Sequence, residues 1–114
     1  MKRVLSIEQL CSGRCVPMKN RSPMSSAHID EQIHVLPIWA RRGDVLERDY
    51  EFDDYARAIA FVNAVAEVAS QENHHPEMLV GHDRVRVHYT THEIGGISIN
   101  DFICAAKIDA RYES

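Results

Sequence analysis

The sequence predicts an α+β fold in two layers, an antiparallel sheet of about four strands with helices packed on one face, in the order α-β-β-α-β-β-α. Three observations carry this expectation. A helical apolar period runs from Tyr55 to Ala69, a strict two-residue alternation occupies Arg84–Thr90, and compact turn signals stand at Gly43-Asp44 and Gly95-Gly96. Strands joined by tight turns pair antiparallel, and helices between them must bury their apolar stripes on the sheet. With 114 residues, 45% of them hydrophobic, the chain can enclose one modest core and no more.

Residues 1–27 are expected to form a flexible N-terminal arm, because Cys11–Ala27 is rich in Ser, Pro, Met, Lys and Arg and has no apolar period. The domain proper is expected over 28–114. It opens with a short helix across His28–Leu36, where Ile29, Ile33 and Leu36 share a face and Pro37 stops the run. A hairpin follows, with Ile38–Arg42 and Leu46–Phe52 as its arms. Leu46, Tyr50 and Phe52 fall on one side of the second arm and acids fill the other. Asp53 is placed to cap the long helix, whose apolar positions Tyr55, Ala58, Phe61, Val62, Val65, Val68 and Ala69 keep the 3.6 period until Asn73. In the strand Arg84–Thr90, Val85, Val87 and Tyr89 oppose Arg84, Arg86 and His88. Ser98 and Asp101 then form a capping box for a last helix carrying Ile99, Phe102, Ile103, Ala106 and Ala110.

A formal charge of −4 provides no electrostatic footprint for nucleic acid or an anionic membrane. The odd set Cys11, Cys15 and Cys104 makes no disulfide framework and points to a reducing compartment, with the cytoplasm as the default. Glu8 interrupts the apolar opening short of a signal-peptide core, and no run approaches the roughly 20 apolar residues of a membrane span. A chain this small that builds a ligand pocket often borrows walls from a second copy, so a homo-oligomer is expected.

The chemistry is concentrated late in the chain. Five of seven histidines lie between His74 and His92, and His74-His75 precede Pro76, which holds His75 in extended backbone. Imidazole both gives and takes a proton near neutrality, so the group reads as an acid/base apparatus, with His92 brought back beside the pair by an antiparallel return. His28, His34 and His88 gain nothing from that reading. A metal site is the rival, but His92-Glu93 lacks the second histidine of a helical zinc pair, and adjacent His74 and His75 do not readily chelate one ion. Cys104, beside Ala105 and Ala106 in a helix, reads as a small buried thiol, no glycine-flanked serine elbow is present, and Gly95-Gly96 is a turn.

On Asn73-His74-His75-Pro76-Glu77, Val85-Arg86-Val87, Thr90-Thr91-His92-Glu93, Gly95-Gly96-Ile97-Ser98, Asp101 and Ala106-Lys107-Ile108-Asp109, the chain resembles the pterin-4a-carbinolamine dehydratase family. Trp39, Tyr50-Glu51-Phe52 and Ala60-Phe61-Val62 extend the likeness from about His28 to Asp109. The resemblance implies a dimer or tetramer that dehydrates 4a-hydroxytetrahydropterin to quinonoid dihydropterin, within the recycling of the pterin used by aromatic amino acid hydroxylases. It implies no separate cofactor, because the pterin is the substrate, and no metal. It carries catalytic roles to His74, His75 and His92 and substrate contact to Pro76, Thr91, Glu93 and Ile94. Asp101 matches an acidic position that contacts substrate, orients a histidine or caps the last helix.

The chain departs from the family pattern at four places. Ser70 stands where a charged residue is usual, with Glu67 and Glu72 as out-of-register substitutes; Met78 replaces a frequent Trp, His82 an aromatic and Asn100 an arginine. These changes spare the three histidines and alter the pocket wall or a subunit contact. A member kept as a dimerisation or regulatory partner, or one acting on another pterin-like heterocycle, is the alternative expectation.

Overall fold

Alternation along two neighbouring strands sets the architecture of the computed structural model, which describes residues 3–114. Strand β2 (Val45–Glu51) pairs antiparallel with β4 (Arg84–Tyr89), placing Leu46 opposite Tyr89, Arg48 opposite Val87 and Tyr50 opposite Val85. Leu46, Tyr50, Val85, Val87 and Tyr89 are essentially enclosed, at 1% exposure or less. The opposite face pairs Glu47 with His88, Asp49 with Arg86 and Glu51 with Arg84, all of opposite charge when the histidine is protonated. Directly opposed charges of unlike sign stabilise an antiparallel pair, so the same two strands specify a dry face and an ionic face.

Strand β1 (Ala40–Arg42) joins β2 through the turn at Gly43, whose φ of 61° suits glycine, and β3 (Glu77–Val80) pairs with β4. The open sheet runs β1-β2-β4-β3, antiparallel throughout. Helix α3 (Tyr55–Glu72) turns Phe61, Val65 and Val68 inward, and α4 (Ile99–Glu113) does the same with Phe102, Ile103, Cys104 and Ile108. The expected two-layer α+β fold is therefore present. Among the described residues no helix is long and apolar enough to cross a membrane.

Three details differ from the sequence expectations. The cap of α3 is Asp54 rather than Asp53, accepting the Arg57 N–H at 2.9 Å. The helix foreseen over His28–Leu36 begins earlier, as α2 (Ser26–Gln32) capped by Ser25, and ends in a 3₁₀ turn over Ile33–Val35. The stretch read as a flexible arm contains a helix, α1 (Ile7–Ser12), closed by a capping box between Ser6 and Gln9. Its Leu10 is fully buried and Met18 is 4% exposed. Residues between them bond to side chains 57 to 84 positions away, contacts that leave no local period to read.

Arg48 shares the apolar face of β2, an arrangement that demands compensation. Asp109 of α4 provides it, accepting from Arg48 Nη1 at 2.9 Å, from Trp39 Nε1 at 3.0 Å and from the Tyr50 hydroxyl. The guanidinium also lies over the rings of Tyr50 and Tyr112, 4.3 and 5.3 Å from their centroids. Burial pushes the Asp109 carboxyl above its ordinary range despite these donors. Removing one member of a buried ion pair strands the other, so Asp109→Ala should lower the unfolding free energy by about 3 kcal/mol in urea titration. The double variant Arg48→Met/Asp109→Leu should recover part of that loss, and an equal or greater loss would show that the cation itself is required.

Candidate active site

The end of α3 delivers the histidine pair. Asn73 takes the left-handed conformation (φ 52°), which turns the chain out of the helix while the His74 N–H still bonds the Ala69 carbonyl at 3.1 Å. Pairing of β3 with β4 sets Glu77 opposite His88, so the same register continued backward brings His75 toward Thr90 and His74 toward Thr91. Thr91 and Gly96 bridge as a tight loop enclosing a 3₁₀ turn at His92–Ile94, with Gly95 at φ 68°. The HHP segment, the end of β4 and the start of α4 thus meet at one end of the sheet.

Asp101 binds these three elements together. It is fully buried; its Oδ1 lies 2.6 Å from His74 Nε2, and its Oδ2 accepts from the Thr91 hydroxyl and the Ser98 N–H, each at 2.9 Å. Ser98 Oγ sits 2.7 Å from Thr91 Oγ1 and completes the capping box foreseen in the sequence. The carboxylate fixes the proton on His74 Nε2 and leaves Nδ1 for a ligand. The His74 ring stacks on Tyr89, centroids 5.2 Å apart, and the Tyr89 hydroxyl donates to the His74 carbonyl at 3.1 Å.

Electrostatics follow from this geometry. Burial alone would lower the His74 pKa, but the hydrogen bond and charge of Asp101 outweigh it and hold the imidazole above its ordinary value. The ring is therefore protonated more readily than a free histidine, which suits a proton donor. Burial drives the Tyr89 phenol upward, so it remains neutral.

His74 opens on a cavity of about 260 Å³ lined also by Glu72, Asn73, Glu93, Asn100 and, from the N-terminal segment, Cys15, Val16 and Pro17. A larger hollow of about 490 Å³ lies at the far end of the helices, around Phe52, Phe61, Arg57 and Tyr112. It contains no imidazole, so the smaller cavity is the candidate site. Glu93 is exposed and accepts the Met18 N–H at 3.1 Å; Pro76 and Ile94 are half-buried. His75 and His92 are exposed, and among the described residues neither side chain makes a hydrogen bond or ion pair. Thr91 and Asp101, grouped in the sequence with substrate-contacting residues, are 2% and 0% exposed and stand behind His74 as its support. No three His, Cys, Asp or Glu side chains among the described residues converge as metal ligands would.

Sequence reasoning missed several contributors. Tyr89 was assigned only to the core, and nothing local marks Thr91 as a carboxylate donor. Glu72 is enclosed at the cavity, tied to the Cys15 N–H at 2.8 Å and to Lys107 Nζ at 3.2 Å, whereas Glu67 pairs with Arg111 on the surface. Burial would raise the Glu72 carboxyl, but those donors bring it below its usual range. Of the four departures, Asn100 alone reaches the cavity; Ser70 and His82 are exposed and Met78 packs against the core.

The site is thus an α+β scaffold with a carboxylate buried behind one imidazole of an HHP segment. The sequence pattern described as pterin 4 alpha carbinolamine dehydratase matches residues 22–111, and the chain belongs to that family. Relatives provisionally named pterin-4-alpha-carbinolamine dehydratase include one from Nitrosospira multiformis, 40% identical over 95% of this chain and 96% of its own. Another, from Xanthomonas oryzae pv. oryzae, is 42% identical over 99% and 96%. Among solved structures, a transcriptional coactivator/pterin dehydratase from Brucella melitensis aligns with a TM-score of 0.75 and 26% identity over 78% of this chain and 97% of that one. A pterin dehydratase-like protein described as a RuBisCO assembly factor of the alpha-carboxysome aligns at 0.58 with 25% identity, over 67% and 90%.

Asp101→Asn keeps the shape of the carboxylate and removes its charge. A group whose folded pKa is raised stabilises the fold below its unfolded pKa, and that contribution is lost as pH rises through the folded value. Unfolding free energy measured against pH should therefore fall from the ordinary histidine range upward in the parent, and this dependence should flatten in Asp101→Asn.

Proposed function

We propose that the protein dehydrates 4a-hydroxytetrahydropterin to quinonoid dihydropterin and water, with His74 as the proton donor to the leaving hydroxyl. The observation that carries this reading is the Asp101-bound imidazole opening on the cavity. Loss of water requires a proton on the 4a-hydroxyl and removal of one from the pterin ring system. A carboxylate-held imidazolium supplies the first; His75 and His92, exposed and uncommitted, are suited to accept the second. Pro76, Glu93 and Ile94 are assigned to substrate contact, and the backbone at Thr91 to the same rim. The pterin is the substrate, and the mechanism requires no separate cofactor or metal. The free thiols suit a reducing compartment such as the cytoplasm, where the product would return to an aromatic amino acid hydroxylase.

A homodimer or homotetramer belongs to this proposal. Strand β3 is an uncovered sheet edge with Leu79 70% and Val80 40% exposed, a surface that pairs readily with another copy. Leu79→Lys should then shift the assembly toward smaller species in light scattering. The likeness to a chain described as an assembly factor supports a second reading, in which this surface serves a protein partner and catalysis is secondary.

Spectroscopic assay with chemically generated carbinolamine separates the two. The parent should accelerate dehydration, and His74→Ala, His75→Ala or His92→Ala should each lower turnover by about 10²- to 10⁴-fold with the fold intact. Asp101→Asn should displace the alkaline limb of the rate profile to lower pH, since the donor loses its proton earlier. Background rates in a folded parent protein would transfer the assignment to the partner-binding reading.

A further inference from the structure

The segment from Arg14 to Met24 follows the rim of the candidate site and is fastened there by complementary groups. Asn100, 3% exposed, holds both backbone groups of Val16, accepting its N–H at 3.1 Å and donating to its carbonyl at 2.7 Å. Glu72 accepts the Cys15 N–H at 2.8 Å and pairs with Arg14 at 3.1 Å; Glu93 accepts the Met18 N–H at 3.1 Å. Farther on, the Met24 N–H reaches the Ile97 carbonyl at 2.9 Å. Pro23 lies so close to Gly96 that a Cβ there would stand 2.9 Å from the proline Cβ. A loosely draped tail has no reason to satisfy three side chains of one cavity with consecutive backbone amides.

We propose that Cys15–Met18, strapped down by Asn100, form a specificity-determining wall of the pterin site. The inference rests on the dehydratase reading and adds what selects the substrate. Residues 15–18 lie outside the span 22–111 matched by the family pattern, so this wall is added to the shared domain. With it in place the cavity of about 260 Å³ falls below the roughly 300–1,000 Å³ usual for small-molecule sites. It favours a bare or methyl-substituted pterin ring over one with a bulky side chain. The wall also holds Glu93, leaving its second oxygen to the ligand. Asn100 is a positioning residue, acting through Val16 and not on the substrate.

Two variants loosen the wall without touching the histidines. Asn100→Asp adds a second acid to the first turn of α4, where negative charge is tolerated, but sets a carboxylate oxygen against the Val16 carbonyl. Gly96→Ala lifts Pro23. In both, the preference in kcat/KM for a 6-methyl carbinolamine over one with a long 6-substituent should shrink by about 3- to 10-fold, read as the ratio of the two substrates within each variant. A purely structural role would lower the melting temperature and leave that ratio alone, which would overturn the proposal.

Cys15 supplies a readout that does not need turnover, because it lines the cavity, while Cys11 lies on a separate hollow and serves as internal control. In the parent protein, 7,8-dihydropterin at about ten times its Kd should slow amide hydrogen exchange at Cys15 about tenfold, read by peptide mass spectrometry, and leave Cys11 unaffected. Dihydropterin binding by calorimetry with no protection of Cys15 would overturn the wall. Protection without dehydration would refute the enzymatic reading and support the wall as part of a pterin-binding site; absence of binding would refute both.

Discussion

One fully buried carboxylate holds the candidate site together. Asp101 draws a donor from each of three chain segments: the imidazole after α3, the Thr91 hydroxyl after β4 and the Ser98 N–H before α4. An enclosed anion is tolerable only when its oxygens are satisfied, so these segments are held at fixed distances by the cost of leaving any donor out. Position favours it too, since the first turn of a helix stabilises negative charge. The fold therefore positions His74 through the same bonds that terminate a strand and start a helix. Stability and the raised pKa of His74 come from one set of contacts.

Asp109 shows what the same residue type does without an imidazole. It is ringed by Arg48, Tyr50 and Trp39, neutralises a cation on the apolar face of β2 and pins the far half of α4 to the sheet. Both acids are near-enclosed and both join α4 to strands. The difference in role lies in the partner: an arginine cannot release its proton near neutrality, whereas a histidine can. A buried carboxylate is thus evidence of chemistry only where the group it holds can exchange a proton and faces a cavity.

The fold was legible because its determinants are local. Val85, Val87 and Tyr89 against Arg84, Arg86 and His88 specified a strand with one dry face, and Tyr55–Ala69 kept its period through four turns of α3. Ser98 with Asp101 read as a capping box and is one. The histidine-orienting role of Asp101 was offered by the family likeness and not by this short-range logic, since a pattern three residues long says nothing about a histidine 27 positions earlier. Arg48 was similarly invisible, because its partner lies 61 positions away. Family likeness named the three histidines, but only the structure distinguishes the half-buried, carboxylate-bound His74 from exposed His75 and His92.

In the N-terminal segment a stretch without apolar period is expected to bury little, and Cys15, Val16 and Met18 are fixed by backbone amides meeting side chains of the domain, a mode that composition does not report. Backbone-mediated docking tolerates many sequences at the docked positions, provided the receiving groups remain. The relative from Xanthomonas oryzae pv. oryzae spans 99% of this chain, so a corresponding segment exists beyond this protein, whereas the family pattern begins only at residue 22. A wall of this kind can change faster than the histidines it faces, because its identity lies in length and placement rather than in particular side chains. On the proposed reading substrate preference is separable from proton transfer: Asp101 bonds His74, whereas Asn100, its immediate neighbour in sequence, bonds Val16 at the same cavity.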